Sequence, residues 1–133
     1  YFEEKSISKN FPGPTGGETM KNLMAALRKD GLTTVAGKKV SKIRDVQENT
    51  VYDPANPSSR QSAGLPKSNV LQFFLEDGTV LSARPSGTEP KIKFYVSCPV
   101  TVQNGDLAGA KAAAGALIAA ITEEIQAILA RAS

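Results

Sequence analysis

The chain has 133 residues, 41% hydrophobic and 22% charged, with a formal net charge of +3. That composition suits one globular domain with a modest core and excludes a disordered tail. Nine of the Lys and Arg residues lie in 1–48 and seven beyond, so the cations are scattered, and neither a nucleic-acid arm nor a membrane-surface helix is expected.

Residues 1–14 have mixed polarity and two prolines, which suggests a lead-in or interdomain linker along the surface. The domain proper is expected over 15–133. Thr15 and Glu18 have the spacing of a capping box, and Met20, Leu23, Met24 and Leu27 form a helical stripe that ends before Lys29-Asp30-Gly31. Lys38 to Val46 reads as a strand that introduces a sheet. Asn49 to Lys67 carries Pro54, Pro57, Gly64 and Pro66 among Ser and Asn, and reads as a long excursion between strands. Its middle, Asn56 to Ser62, is taken as a decorative insertion from which Arg60 could reach a neighbouring domain.

Val70 to Glu76 and Thr79 to Arg84 are apolar-rich runs around Asp77-Gly78, a strong hairpin signal. Ile92 to Cys98 alternates strictly, which puts Ile92, Phe94, Val96 and Cys98 on one face and Lys93, Tyr95 and Ser97 on the other. Asp106 is placed to cap a long helix whose apolar stripe runs through Leu107, Ala110, Ala114, Leu117, Ile118, Ile121, Ile125, Ile128 and Leu129. The order of helix, strand, hairpin, strand and helix predicts an α+β domain, a mainly antiparallel sheet with helices packed on one face.

Between the hairpin and the alternating strand lies Arg84-Pro85-Ser86-Gly87-Thr88-Glu89-Pro90-Lys91-Ile92-Lys93, the part of the chain richest in chemistry. Arg84 offers a bidentate guanidinium fork, Ser86 and Thr88 offer hydroxyl donors, and Gly87 lets the backbone approach a ligand. The prolines restrict the loop before any ligand orders it. Lys91 and Lys93 share a strand face, so three cations oppose the one carboxylate of Glu89, a field that favours an anion. The plain alternative is a surface turn whose charges blunt a sheet edge.

One cysteine and no histidine exclude an intrachain disulfide, Ser-His-Asp chemistry and histidine metal sites, and Cys98 is expected to fill core. No stretch reads as a membrane span and Tyr1-Phe2-Glu3-Glu4 is not a signal peptide, so a cytoplasmic setting without membrane or nucleic-acid partners is expected. A chain that begins at Tyr1 also reads as a fragment.

The run RPSGTEPKIKFYV resembles the phosphate-binding loop of the α-D-phosphohexomutases, the phosphoglucomutase and phosphomannomutase superfamily, and LPKSNVLQFFLEDGTVLSA is similar to the bacterial phosphoglucomutases. The resemblance implies the family's fourth, C-terminal domain, with a TATA-binding-protein-like fold. It implies phosphate contacts at Arg84, Ser86, Gly87 and Thr88, and one at Lys93, where many members carry arginine. It further implies an intact enzyme that interconverts hexose 1- and 6-phosphates through a bisphosphate, with the catalytic serine and a Mg2+ site in the other three domains. No catalytic residue, metal ligand or cofactor is expected in this chain, and no turnover from it alone. The expected partners are a phosphosugar and domains 1–3 of the same polypeptide. A free-standing anion-binding module and a structural docking domain are the rival readings.

Overall fold

The computed structural model describes the chain except residues 1, 12, 31–32, 63, 65–67, 87–89, 101, 103–104 and 133, and of residues 2, 30, 57, 59, 131 and 132 it describes the backbone. Among the described residues eight strands and two helices follow one another as β1 (Phe2–Asn10), α1 (Gly16–Asp30), β2 (Thr34–Val35), β3 (Lys38–Asp45), β4 (Thr50–Asp53), β5 (Asn56–Ser62), β6 (Leu71–Leu75), β7 (Val80–Pro85), β8 (Lys91–Pro99) and α2 (Leu107–Ala132). The sheet order is β1-β8-β7-β6-β3-β4-β5, with β2 paired to β3, and every pairing is antiparallel. This is the α+β architecture that the sequence predicts.

Alternation decides which face of the sheet is covered. Ile92, Phe94, Val96 and Cys98 of β8, Leu81 and Ala83 of β7, and Leu71, Phe73 and Leu75 of β6 are all buried. They form one cluster with Met20, Leu23, Met24 and Leu27 of α1 and Ala114, Ile118, Ile121, Ile125 and Leu129 of α2. Residues of opposite parity, such as Tyr95, Lys93 and Arg84, are exposed, so both helices lie on one face and the other face of the strands is open.

Residues 1–14, expected as a surface lead-in, contain a full strand. Phe2–Asn10 pairs with β8 over its whole length. The signal was weak because β1 is an edge strand rich in charged and polar residues, and among its described side chains Ile7 is the apolar one packed against the core. The long excursion expected over Asn49–Lys67 is likewise shorter than it reads. It holds the hairpin β4–β5, whose turn is closed by the Asp53 carboxylate accepting the Ala55 N–H at 2.8 Å. Proline is compatible with β5 because that strand is the outer edge, where an N–H need not pair. The Arg60 guanidinium carbon lies 4.0 Å from the centre of the Tyr52 ring in the same hairpin.

The hairpin β6–β7 turns where Asp77-Gly78 predicts it. Gly78 has φ +93° and the Asp77 carboxylate accepts the Thr79 N–H at 2.9 Å. Asp106 caps α2 as expected, its carboxylate accepting the Gly109 N–H at 2.9 Å. Leu107, placed on the apolar stripe, is 46% exposed instead. Contrary to the expectation that no stretch reads as a membrane span, Leu107–Ala130 is long and apolar enough to cross one, with mean hydropathy 1.5, and alanine supplies much of that value. Its isoleucines face the sheet, and Glu124 accepts the Ala36 N–H at the β2–β3 turn.

Helix α1 starts against the end of β1. A Cβ at Gly16 would come 1.7 Å from the Phe11 carbonyl oxygen, so no side chain fits there without backbone movement. Gly16→Ala is therefore expected to cost about 1–3 kcal/mol, the usual range for overpacking a tight site. Urea denaturation checks this, and a loss below a few tenths would mean that the α1 entry yields freely.

Candidate functional site

The register of β7 on β8 makes Arg84 and Lys93 direct cross-strand partners. Residues opposite one another on an antiparallel pair have Cβ atoms about 5 Å apart, and like charges so placed repel. Both side chains are exposed, and neither has an ion pair or side-chain hydrogen bond among the described residues. Two cations held together by backbone register, with no carboxylate paired to either among the described residues, form a site whose repulsion an anion would relieve.

Backbone hydrogen bonds hold the base of the loop between these strands. The Ser86 N–H donates to the Lys91 carbonyl at 2.7 Å, and the Phe11 N–H donates to the Pro90 carbonyl at 2.7 Å. A cleft of about 320 Å³ opens beside them, lined by Arg84, Pro85, Ser86, Lys93 and Tyr95. Arg84, Ser86 and Lys93, three of the predicted phosphate contacts, thus lie on one cleft. Gly87, Thr88 and Glu89 lie outside the described residues. Lys91 is half-buried and does not line the cleft, so the cationic pair is Arg84 and Lys93.

Other groups here went unread in the sequence. Ser8 of β1 is the partner of Lys93 on its other side, and was missed because β1 itself was missed. Ser82, two residues before Arg84, lies opposite Tyr95. Its hydroxyl oxygen accepts from the Gln72 amide at 3.2 Å, and the Gln72 carbonyl oxygen accepts from Arg44 Nε at 2.7 Å. Only the strand register makes this row visible, since its members come from three separate strands.

Away from the cleft, Cys98 fills core as expected, 3% exposed, with the Thr79 hydroxyl 3.7 Å from its sulfur. No group of three or more His, Cys, Asp or Glu side chains able to hold a metal ion occurs among the described residues.

Comparison with known proteins gives these features a context. The family pattern described as "Phosphoglucomutase/phosphomannomutase, C-terminal domain" matches residues 23–114, a stretch from within α1 to within α2 that contains the whole cleft loop. The phosphoglucomutase of Staphylococcus saprophyticus is 34% identical over 100 residues, which is 75% of this chain and 18% of that protein. The phosphoglucomutase of Staphylococcus epidermidis is 38% identical over 96 residues, 72% of this chain and 17% of that protein. The chain thus spans under a fifth of the length of these relatives. On the strength of that match, the chain belongs to the phosphoglucomutase/phosphomannomutase family and corresponds to its C-terminal domain.

Proposed function

We propose that this chain is the substrate-phosphate-binding lid of a phosphohexomutase that interconverts hexose 1-phosphate and hexose 6-phosphate. The observation that carries the reading is the direct opposition of Arg84 and Lys93 on an open cleft. In the intact enzyme a phosphoserine of another domain would transfer its phosphoryl group to the sugar. The bisphosphate formed would turn round and return its other phosphoryl group to the serine. Throughout, Arg84 and Lys93, with Ser86 and the loop residues Gly87 and Thr88, would grip the phosphate that is not reacting. Binding energy taken from that remote phosphate orients the sugar and favours closure, so a domain without acid, base or nucleophile can still raise turnover.

Magnesium, domains 1–3 and a cytoplasmic setting belong to the same proposal. The magnesium is expected on the other domains of the intact enzyme.

The test is an amide NMR titration of the chain with inorganic phosphate and glucose 1-phosphate at low salt, beside Arg84→Ala. A charge-assisted bidentate contact contributes about 1.5–3 kcal/mol, so the substitution should weaken binding by roughly ten- to a hundredfold. Because it also removes one of two opposed like charges, it should leave stability unchanged or raise it by a few tenths of a kcal/mol. A loss of stability with binding intact would instead mark Arg84 as a structural or docking residue. Failure of the wild-type chain to bind either ligand at tens of millimolar would remove the lid reading for the free domain.

A further inference from the structure

We infer that the open face of β1, β8 and β7 continues the phosphate cleft into a subsite for the hydroxyl-bearing ring of the ligand, with Tyr95 as its floor and Ser82 as a positioned donor. The inference rests on the phosphate reading of the adjoining cleft.

Tyr95 lines two clefts, the cationic one and a neighbouring one of about 430 Å³. The two therefore meet at one aromatic side chain. Lys93, Tyr95 and Ser97 succeed one another on the same face of β8, about 7 Å apart from one to the next. That interval matches the reach of a hexose phosphate from its phosphorus across the sugar ring. A ligand anchored by phosphate at Arg84 and Lys93 and lying along β8 would bring its ring over Tyr95. The tyrosine is 42% exposed, enough to offer a ring face to the C–H face of a pyranose.

Around Tyr95 the second cleft presents three serine hydroxyls, with Glu4, Lys5, Val80 and Val96 beside them. Ser6 of β1, Ser82 of β7 and Ser97 of β8 line it, and Glu4 stands at the end farther from Arg84. Glu4 and Lys5 offset each other in charge, so the Arg84 and Lys93 pair is what holds an anion, and the serine hydroxyls offer donors and acceptors to a polyol.

Ser82 carries the most specific part of the argument. A serine hydroxyl has one proton to donate and two lone pairs. One lone pair already takes the Gln72 amide proton at 3.2 Å, and Gln72 is held in turn by Arg44 at 2.7 Å. The row fixes which way the serine oxygen is loaded and leaves its proton for a partner on the open face. Such second-layer support is what a recognition contact needs to be selective. Glutamine 72 is thus a positioning residue, acting through Ser82.

The experiment compares the affinities of inorganic phosphate and glucose 1-phosphate for the wild-type chain, Tyr95→Ala, Ser82→Ala and Gln72→Ala. Wild type should prefer the sugar phosphate by roughly fivefold or more, the value of one neutral hydrogen bond. Ser82→Ala and Gln72→Ala should each lose most of that margin while their affinity for inorganic phosphate stays unchanged, a separation that a merely structural role would not produce; Tyr95→Ala, whose side chain also borders the phosphate cleft, should lower the ratio of the two affinities. Equal wild-type affinities for the two ligands, or variants that keep the margin, would overturn the subsite and leave the phosphate cleft standing. If wild type bound neither ligand, the phosphate reading would fail and this inference with it.

Discussion

Asp45→Ala is expected to destabilise the chain by about 3 kcal/mol, the lower end of the range for breaking a buried ion pair by deleting one partner. Arg28 of α1 donates through Nε to both carboxylate oxygens of Asp45 on β3, at 3.0 and 3.2 Å, and its terminal nitrogen donates to the Asn69 side chain. The Asp45 side chain is 8% exposed and that of Arg28 16%, so the guanidinium left behind could recover only part of its hydration. The same carboxylate also accepts the Glu48 N–H at 3.2 Å, which would lose its partner. Partial exposure of Arg28 is why the lower end applies. Asp45→Asn, which keeps one acceptor, should cost less, and Asp45→Leu combined with Arg28→Met should recover much of the loss because it removes both charges. Chemical denaturation of the four proteins decides: a single-variant loss below about 1 kcal/mol would show the pair to be solvated, as surface pairs are.

Phe73→Ala should cost about 3–5 kcal/mol, as large aromatic truncations in cores do. Phe73 is fully buried on β6, with Ile43 of β3 and Leu81 of β7 as its cross-strand partners on either side. Removing the ring would open a void in the middle of the covered face, beneath both helices. A domain of this size has about 5–15 kcal/mol in total, so the variant should be close to unfolding. Phe74, its neighbour in sequence, supplies the contrast. It lies on the open face, with the Lys42 ammonium 4.6 Å and the Arg44 guanidinium carbon 5.1 Å from its ring centre. Phe74→Ala should therefore cost about 1 kcal/mol, from lost cation–π and partial burial. Denaturation curves that gave the two variants similar losses would contradict the one-sided core.

The contrast between adjacent phenylalanines also explains what the sequence could and could not reveal. Strict alternation made β8 and the β6–β7 hairpin legible, because a strand buried on one face must repeat every second residue. The long stripe of α2 and its Asp106 cap were legible for the same kind of reason, a period of 3.6 and a side chain that satisfies an end N–H. β1, β4 and β5 were not, since strands near or at a sheet edge bury little and can be filled with charge, serine and proline. Within the site, Arg84, Ser86 and Lys93 stood out because they are close in sequence. Ser8 did not, because only the pairing of β1 with β8 brings it there, and Gln72 and Ser82 did not, because alternation puts them on the open face without showing that they bond to each other across the hairpin.

The pairing of β1 with β8 joins the first element of the sheet to the last. Closing so long a loop costs entropy that is recovered only when both strands are in place, and folds dominated by such distant contacts form slowly. The hairpin β6–β7, by contrast, closes over a four-residue turn, Glu76 to Thr79, and can form early. Arg84 and Lys93 are nine residues apart on neighbouring strands, so the cationic pair needs a far shorter closure than the pairing of β1 with β8 that sets Ser6 and Ser8 beside it.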